Sequence, residues 1–81
     1  MKIRVLVSYK DSVLDPQGQT VKNALHTLSY DYVKEVRQGK VFELELEDIS
    51  RDKAEEVVPE IAHTVLANPI IEKFEWQVIE E

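Results

Sequence analysis

The sequence predicts one small α+β domain in which two helices alternate with four strands. The chain has 81 residues, which is the length of a single domain. Hydrophobic residues make up 43% of it and charged residues 32%, a composition typical of folded rather than disordered chains. Apolar side chains alternate in some segments and recur at helical spacing in others, which gives the order β-α-β-β-α-β.

The first strand and the first helix are predicted close together in the chain. Residues 2–10 alternate between apolar and polar side chains, as a half-buried strand does. Asp15-Pro16 then predicts a helix start, because aspartate caps helices and proline already holds a helical φ. The following apolar residues recur at i, i+3, i+4 and i+7, which predicts one packed face made of Val21, Ala24, Leu25 and Leu28.

Two extended runs, residues 33–37 and 40–47, predict an antiparallel hairpin. Gln38-Gly39 lies between them, and Gly39 can supply the positive φ of a tight turn. In the second run the apolar residues alternate with acidic ones, so one face is predicted to be core and the other a solvated row of Glu43, Glu45 and Glu47.

A second helix and a final strand complete the chain. Ser50 is the predicted cap, and the apolar residues keep helical phase up to Leu66. Pro59 lies inside this pattern, so we expect either a kink near Glu55 or a helix that restarts at Pro59. The unbroken phase of the apolar residues favours the kink. Asn68-Pro69 ends the helix, and residues 70–79 form the last strand.

This order predicts a ferredoxin-like split arrangement, with a four-stranded antiparallel sheet and both helices on one face. Right-handed crossovers place the first and third strands at the centre and the other two at the edges. If Ile71 and Ile79 face the helices, the last strand exposes Phe74, Trp76 and Val78. Apolar residues on both faces indicate a second buried surface.

Residues that could carry catalysis, a metal or a cofactor are scarce. The chain has no cysteine, which excludes thiol catalysis and thiolate metal sites and fits a reducing compartment. His26 and His63 lie on different predicted helices without a carboxylate at metal-ligand spacing, so we assign neither a catalytic nor a metal role. Gly18 and Gly39 are the only glycines and form no phosphate-binding loop. We expect no catalytic residue, no metal and no cofactor.

Charge and hydropathy bear on the class of partner. Sixteen acidic residues against ten basic ones give a net charge of −6, which disfavours binding to a phosphate backbone. Phe42 lies where an RNA-recognition domain carries a stacking aromatic, but the glutamates of the same strand would repel phosphate. No apolar stretch approaches the length of a membrane span or a signal-peptide core, so we expect a cytoplasmic protein that binds neither nucleic acid nor membranes.

Arg37 and Lys40 flank the predicted turn and form a basic tip on an acidic protein. They either keep the turn soluble or contact the carboxylates of a partner or a bound anion, since cations on a rigid turn lose little entropy on docking. Lys10 is not expected to join them, because the first strand ends at the edge opposite the predicted hairpin. The small core that 81 residues can form makes oligomerisation an expectation.

Three short motifs stand in order along the chain: Asp15-Pro16-Gln17-Gly18, Arg37-Gln38-Gly39-Lys40 and residues 66–72, with the sequence LANPIIE. Together they resemble the PurS family, the small subunit of phosphoribosylformylglycinamidine synthase, and the likeness covers essentially the whole chain. The sequence departs from the family pattern at Ser29, where the family usually has glycine. It departs again at His63-Thr64, which replaces a segment containing cysteine, and at Pro59.

The resemblance implies a subunit that performs no chemistry itself. It implies a homodimer that joins a glutaminase subunit (PurQ) to an ATP-dependent synthetase subunit (PurL), so that ammonia passes between them. The complete enzyme would be a carbon–nitrogen ligase of purine biosynthesis. The motif positions are our candidates for partner binding: Asp15, Pro16, Gln17, Gly18, Arg37, Gly39, Lys40, Asn68 and Pro69.

Two other functions share this order of elements. An ACT-like domain would sense an amino acid at a glycine-bearing turn after the first strand, but the only nearby glycine is Gly18, inside the predicted helix. An acylphosphatase-like hydrolase would need an anion-binding loop in the same place, where Lys10-Asp11-Ser12 puts a carboxylate. The ACT-like domain is the alternative to a PurS-like subunit.

Overall fold

The computed structural model describes all 81 residues and has three strands, two α-helices and one π-helical turn. The elements follow in the order β1 (Lys2–Tyr9), α1 (Pro16–Thr27), β2 (Lys40–Glu45), α2 (Arg51–Ile61), the π turn (Ala62–Leu66) and β3 (Glu72–Glu80). No helix combines the length and the apolar character needed to cross a membrane.

The sheet is antiparallel, with the strand order β2-β1-β3. In its register Val5 lies between Phe42 on one side and Trp76 on the other. Residues directly opposite each other on antiparallel strands point to the same face, so these three side chains share one face of the sheet. The central strand is therefore β1, and both of its neighbours are edge strands.

The core lies between this face and α2. Ile3, Val5 and Val7 of β1 are fully buried, and so are three residues of α2 and the π turn: Ala54, Val58 and Ala62. Half-buried apolar side chains of the two edge strands pack around them, including Phe42, Leu44, Phe74, Trp76 and Val78. One helix and one sheet face thus supply nearly all of the buried apolar surface.

The predicted facing of the last strand is wrong. Phe74, Trp76 and Val78 point toward α2, because they lie opposite the buried residues of β1 in the register. Ile79 is exposed and lies beside a shift in register between Lys2 and Ile3. The opposite face of the sheet is polar apart from Ile79 and the neighbouring pair Leu6 and Val41.

The predicted four-stranded sheet is also wrong, because residues 33–37 form no strand. Their backbone makes contacts with side chains and with α1 instead of a ladder. Nε2 of His26 lies 2.8 Å from the carbonyl oxygen of Val33, and the N–H of Val36 donates to the side chain of Glu35. Their two valines are three positions apart, so the segment has no apolar face to place on a sheet.

Nor does α1 lie on the sheet beside α2. We call α1 and the segment that returns along it, residues 16–39, the arm, and the sheet with α2 and the π turn the body. The extents are 50 × 26 × 14 Å and the radius of gyration is 16.1 Å. A compact chain of this length would have a radius of gyration of about 12 Å. The arm therefore extends away from the body and leaves its apolar residues uncovered.

Both predicted caps are confirmed. The side chain of Asp15 accepts the N–H of Gly18 at the start of α1, and the side chain of Ser50 accepts the N–H of Lys53 at the start of α2. The predicted restart at Pro59 does not occur, since α2 runs through it to Ile61 and then widens into the π turn. Proline lacks the N–H that would bond four residues back, so the ladder is already interrupted just before the π turn.

Candidate functional site

The three sequence motifs meet at one end of the sheet, where β1 ends and β2 and β3 begin. We call this region the junction; it comprises residues 15–18, 37–40 and 68–72. The backbone N–H of Lys10, just after β1, donates to the carbonyl oxygen of Ile71 at 2.9 Å. A guanidinium N–H of Arg37 donates to the carbonyl oxygen of Lys10 at 3.0 Å. Segments far apart in sequence are thus held side by side.

Asp15 is the buried polar centre of the junction. One carboxylate oxygen accepts the N–H of Gly18 at 2.9 Å, and the other accepts the N–H of Gln38 at 2.6 Å. Both of its side-chain oxygens are therefore satisfied, as burial requires. The side-chain amide of Gln38 adds a hydrogen bond of 2.8 Å to Gln17. The two bonds made by Gln38 join the start of α1 to the segment before β2.

Both glycines are explained by close approach of backbone. A Cβ atom at Gly18 would collide with the carbonyl oxygen of Val36 and lie 2.8 Å from Oδ2 of Asp15. A Cβ atom at Gly39 would lie 2.6 Å from the carbonyl oxygen of Val7. Neither glycine has a positive φ, so the predicted tight turn at Gly39 is wrong. Glycine is needed there because the chain crosses the end of β1 at short distance.

The two cations of the predicted basic tip are both at the junction and both have partners within the chain. Arg37 donates to the carbonyl oxygen of Lys10, while Nζ of Lys40 lies 3.5 Å from Oε2 of Glu72. Lys10 does converge on the tip, contrary to expectation. The reason is the missing hairpin: β2 starts opposite Val7, which brings residues 37–40 to the end of β1.

Glu72 connects the third motif to the second through its ion pair with Lys40, and it was not singled out from the sequence. Its Oε1 accepts the N–H of Asn68 at 2.7 Å, and its side chain is only 11% exposed. Asn68 in turn accepts the N–H of Ile70 through its side chain. Pro69 follows directly and is exposed. The one available signal was its place at the end of the Asn-Pro-Ile-Ile-Glu motif.

An open polar cleft of about 410 Å³ lies at the junction. Four segments line it, with Gln17 from α1, Gln38, Gly39 and Lys40 before and in β2, Glu72 from β3, and Val7, Ser8 and Tyr9 from β1. Seven of the nine predicted partner-binding residues are exposed: Pro16, Gln17, Arg37, Gly39, Lys40, Asn68 and Pro69. Asp15 and Gly18 are buried, so neither presents a surface to a partner.

Two carboxylates at this end of the sheet, those of Asp11 and Asp15, have lowered pKa values. Hydrogen bonds from the backbone N–H groups of Gln38 and Gly18 hold the pKa of Asp15 below its ordinary value. A hydrogen bond from the ammonium group of Lys73, 2.9 Å away, lowers the pKa of Asp11. Donors to the charged form of a carboxylate stabilise that form. Both pKa values are lowered, but Asp11 forms an ion pair on the surface, whereas Asp15 is buried and binds two backbone N–H groups.

The histidines and carboxylates of the chain lie apart from one another. No three histidine or acidic side chains come together in a way that could hold a metal ion. Nε2 of His26 lies by the carbonyl oxygen of Val33, so it is used within the arm. His63 is exposed on the π turn. The arrangement is suited to recognition: two exposed cations, an amide pair and a rigid glycine-bearing backbone.

Exposed cations on a backbone held by hydrogen bonds and close packing are features of a surface that recognises another molecule. Residues 2–80 match the model of the PurS family of phosphoribosylformylglycinamidine (FGAM) synthase. The chain therefore belongs to the PurS family, and it is a PurS subunit of FGAM synthase.

Individual relatives agree with this membership. The PurS subunit of FGAM synthase from Bacillus subtilis is 46% identical over 79 residues, which is 98% of this chain and 93% of the relative. Its solved structure has a TM-score of 0.87 and covers 98% of each chain. PurS of Methanocaldococcus jannaschii has a TM-score of 0.86 at 35% identity, covering 99% of this chain and 96% of that one.

A solved structure of PurLQS from Thermotoga maritima is also similar to this chain. Its matching chain has a TM-score of 0.83 at 34% identity and covers 94% of this chain and 93% of that chain. The family expectation from the three motifs is thus confirmed. Nothing in these similarities supports the ACT-like alternative.

Proposed function

We propose that this chain is the non-catalytic connector of its FGAM synthase, binding both a glutaminase subunit and an ATP-dependent synthetase subunit and supporting ammonia transfer between them. The observation that carries this is its membership of the PurS family together with its similarity to a chain of the PurLQS structure. ATP binding and glutamine hydrolysis would then belong to the other subunits. A biosynthetic enzyme of this kind supports a cytoplasmic location.

The junction is the surface we propose for one of these contacts. Arg37 and Lys40 are exposed cations on a chain whose net charge is −6, so they are a local exception to its acidic surface. They project from a backbone that Gly39 holds against β1 and Asp15 holds against α1. A partner with an acidic patch would meet complementary charge on a rigid support, which favours both orientation and rate of association.

We further propose that the chain forms a homodimer through the arm. Only nine of its 81 residues are buried, so a single copy covers little of its apolar surface. Four of the ten large apolar residues that are exposed lie close together in sequence on α1 and at the far end of the arm: Val21, Leu28, Tyr30 and Tyr32. A second copy that covers them with the same patch would form the symmetric type of interface common among small subunits. The original reason for a dimer, an exposed Phe74 and Trp76, no longer applies.

The experiment replaces the two cations together, as Arg37→Ala with Lys40→Ala, and measures binding to the purified partner subunits and glutamine-dependent synthesis. Loss of a charge contact at an interface core costs about 2–5 kcal/mol. We therefore expect assembly to weaken at least tenfold. Sedimentation of the variant alone should still give a dimer, because the arm's apolar patch is unchanged, and circular dichroism should be that of the original protein.

A matched control is Lys34→Ala with Lys22→Ala, which removes the same charge from the arm away from the junction. This variant should assemble normally. If the two double variants behave alike at both low and physiological salt, the junction cations are not a docking contact. If the unmodified chain sediments as a 9.4 kDa monomer at micromolar concentration, the homodimer is wrong.

A further inference from the structure

Asp15 has a role that differs from direct partner binding. It is only 4% exposed, so a partner cannot reach it. Its two oxygens serve two different segments, one accepting from Gly18 in α1 and the other from Gln38 in the return segment of the arm. A helix cap needs only the first of these bonds. The second bond, 2.6 Å long, is additional to capping and joins the arm's two limbs at their base.

The bond to Gln38 falls between the two cations of the proposed docking contact. Fixing the N–H of Gln38 fixes the peptide group that links it to Arg37. Arg37 then reaches the carbonyl oxygen of Lys10, and two residues after Gln38 the chain enters β2 at Lys40, beside Glu72. Gly39 lies between Gln38 and Lys40 and packs directly against the backbone of β1, which restricts the movement of this segment. The carboxylate of Asp15 therefore determines where both cations stand.

We propose that Asp15 is a positioning residue for partner binding, whose second carboxylate oxygen holds the peptide at Gln38 so that Arg37 and Lys40 are presented together at the junction. This inference rests on the proposed docking role of the two cations. It assigns Asp15 no contact with the partner. It also explains why an acidic residue suits this position when serine or asparagine would cap the helix as well.

The charges around Asp15 agree with this role. The backbone N–H groups of Gln38 and Gly18 lower the pKa of Asp15 most, and the nearby charge of Arg37 acts in the same direction, so the surroundings favour the ionised carboxylate. An ionised oxygen is a stronger acceptor for the N–H of Gln38 than a hydroxyl or an amide oxygen would be. Only a carboxylate offers two equivalent acceptors without a donor, so each of the two segments gains a charge-assisted bond.

The test compares Asp15→Ser with Asp15→Ala in the complete chain. Serine keeps the cap to Gly18 but has no second oxygen for Gln38, whereas alanine loses both bonds. Hydrogen exchange is measured at the amides of Gly18 and Gln38, and binding to the partner subunits is measured in parallel. We expect Asp15→Ser to keep the protection of Gly18, to lose roughly ten- to hundredfold protection at Gln38, and to weaken assembly at least about tenfold.

The control is Asp11→Asn, which removes a nearby carboxylate whose pKa is also lowered but which only pairs with Lys73 on the surface. It should change neither Gln38 exchange nor assembly. If Asp15→Ser keeps normal assembly while Gln38 loses protection, or if Gln38 keeps its protection, Asp15 is a helix cap only and the proposal is wrong. Because Asp15→Ser keeps the helix cap, it should fold and distinguish these outcomes even if Asp15→Ala does not fold.

Failure of the docking proposal gives a different result. In the background of Arg37→Ala with Lys40→Ala, Asp15→Ser should weaken assembly by less than about twofold more, because the groups that it positions are gone. If the cation variant alone assembles normally, the proposed docking contact fails, while Gln38 exchange still reports whether Asp15 holds the segment. If the combined variant weakens assembly by the full product of the two separate factors, Asp15 acts independently of the cations and the positioning role is contradicted.

Discussion

The body and the arm of this chain are stabilised by different interactions. In the body, six fully buried apolar side chains of β1, α2 and the π turn pack between sheet and helix. In the arm, α1 buries only Gly18, and a few polar contacts of Asp15, Gln38 and His26 hold its two limbs together. Burial of apolar surface is the larger stabilising term in proteins, so the body should fold by itself. The proposed homodimer would cover the apolar residues that the arm leaves exposed.

The two helices show that an apolar stripe does not tell what will cover it. In α1 the stripe of Val21, Ala24, Leu25 and Leu28 has ideal helical spacing, yet only Leu25 among them is even half-buried. In α2 the equivalent residues Ala54, Val58 and Ala62 are fully buried against β1. Periodicity predicts that a face will be covered, but the cover can lie in the same chain or in a partner.

The largest effect should come from the body's core. Ile3→Ala removes a fully buried side chain and leaves a cavity, which costs about 2–5 kcal/mol of unfolding free energy. Leu14→Ala, at a residue 73% exposed beside the arm, should change it by less than about 0.5 kcal/mol. Chemical denaturation followed by circular dichroism measures both. Equal losses in the two variants would mean that the arm contributes to the global core after all.

A smaller effect, confined to the arm, should follow Gly18→Ala. Alanine normally stabilises a helix relative to glycine by about 0.5–1 kcal/mol. Here its Cβ would collide with the carbonyl oxygen of Val36, so we expect the return segment to be displaced at a cost of about 1–3 kcal/mol. Hydrogen exchange in residues 16–39 should speed up while the core strands stay protected.

The control for Gly18→Ala is Asn23→Ala, an exposed position of the same helix. Alanine should raise helix stability there slightly, because it has the better intrinsic propensity. If Gly18→Ala stabilises the arm as Asn23→Ala does, Val36 does not pack against α1 in solution and the close approach is not maintained.

Much of the body was predictable from local chemistry. The alternation of β1, the caps at Asp15 and Ser50 and the end of the second helical region are all confirmed within two residues or so. Each rests on interactions between residues close in sequence, which a single chain shows directly. The position of β1 between two antiparallel neighbours also followed from the order of elements.

The errors concern interactions between distant segments. Residues 33–37 were predicted as a strand because they contain valines and precede a glycine, yet Asp15 and His26 bind their flanks and keep them beside α1. The facing of β3 depended on its register with β1, which a sequence does not specify when both phases contain apolar residues. The junction was predicted as three motifs, but Glu72 and the carbonyl oxygen of Lys10, which connect them, carry no signal of their own.

The smallest effect that we predict compares one residue of the arm with one residue of the body. Both residues have a positive φ, in the left-handed part of the Ramachandran plot. In the arm Ser29 has φ 74°, just after α1, where the N–H of Tyr30 donates to Leu25 and that of Ser29 donates to His26. This is the helix ending that glycine favours. In the body Asp48 has φ 53°, between β2 and α2.

Ser29→Gly and Asp48→Gly should each relieve a left-handed conformation, with a gain of about 0.5–1 kcal/mol after the added flexibility of the unfolded chain is subtracted. The gain should appear in different places. Asp48→Gly should raise the denaturation midpoint of the whole protein, since the body unfolds as one unit. Ser29→Gly should leave that midpoint unchanged and slow hydrogen exchange only in the last turn of α1, because the arm opens without the body. If Ser29→Gly raised the global midpoint as much as Asp48→Gly, arm and body would unfold together, and the arm would not depend on another chain for its stability.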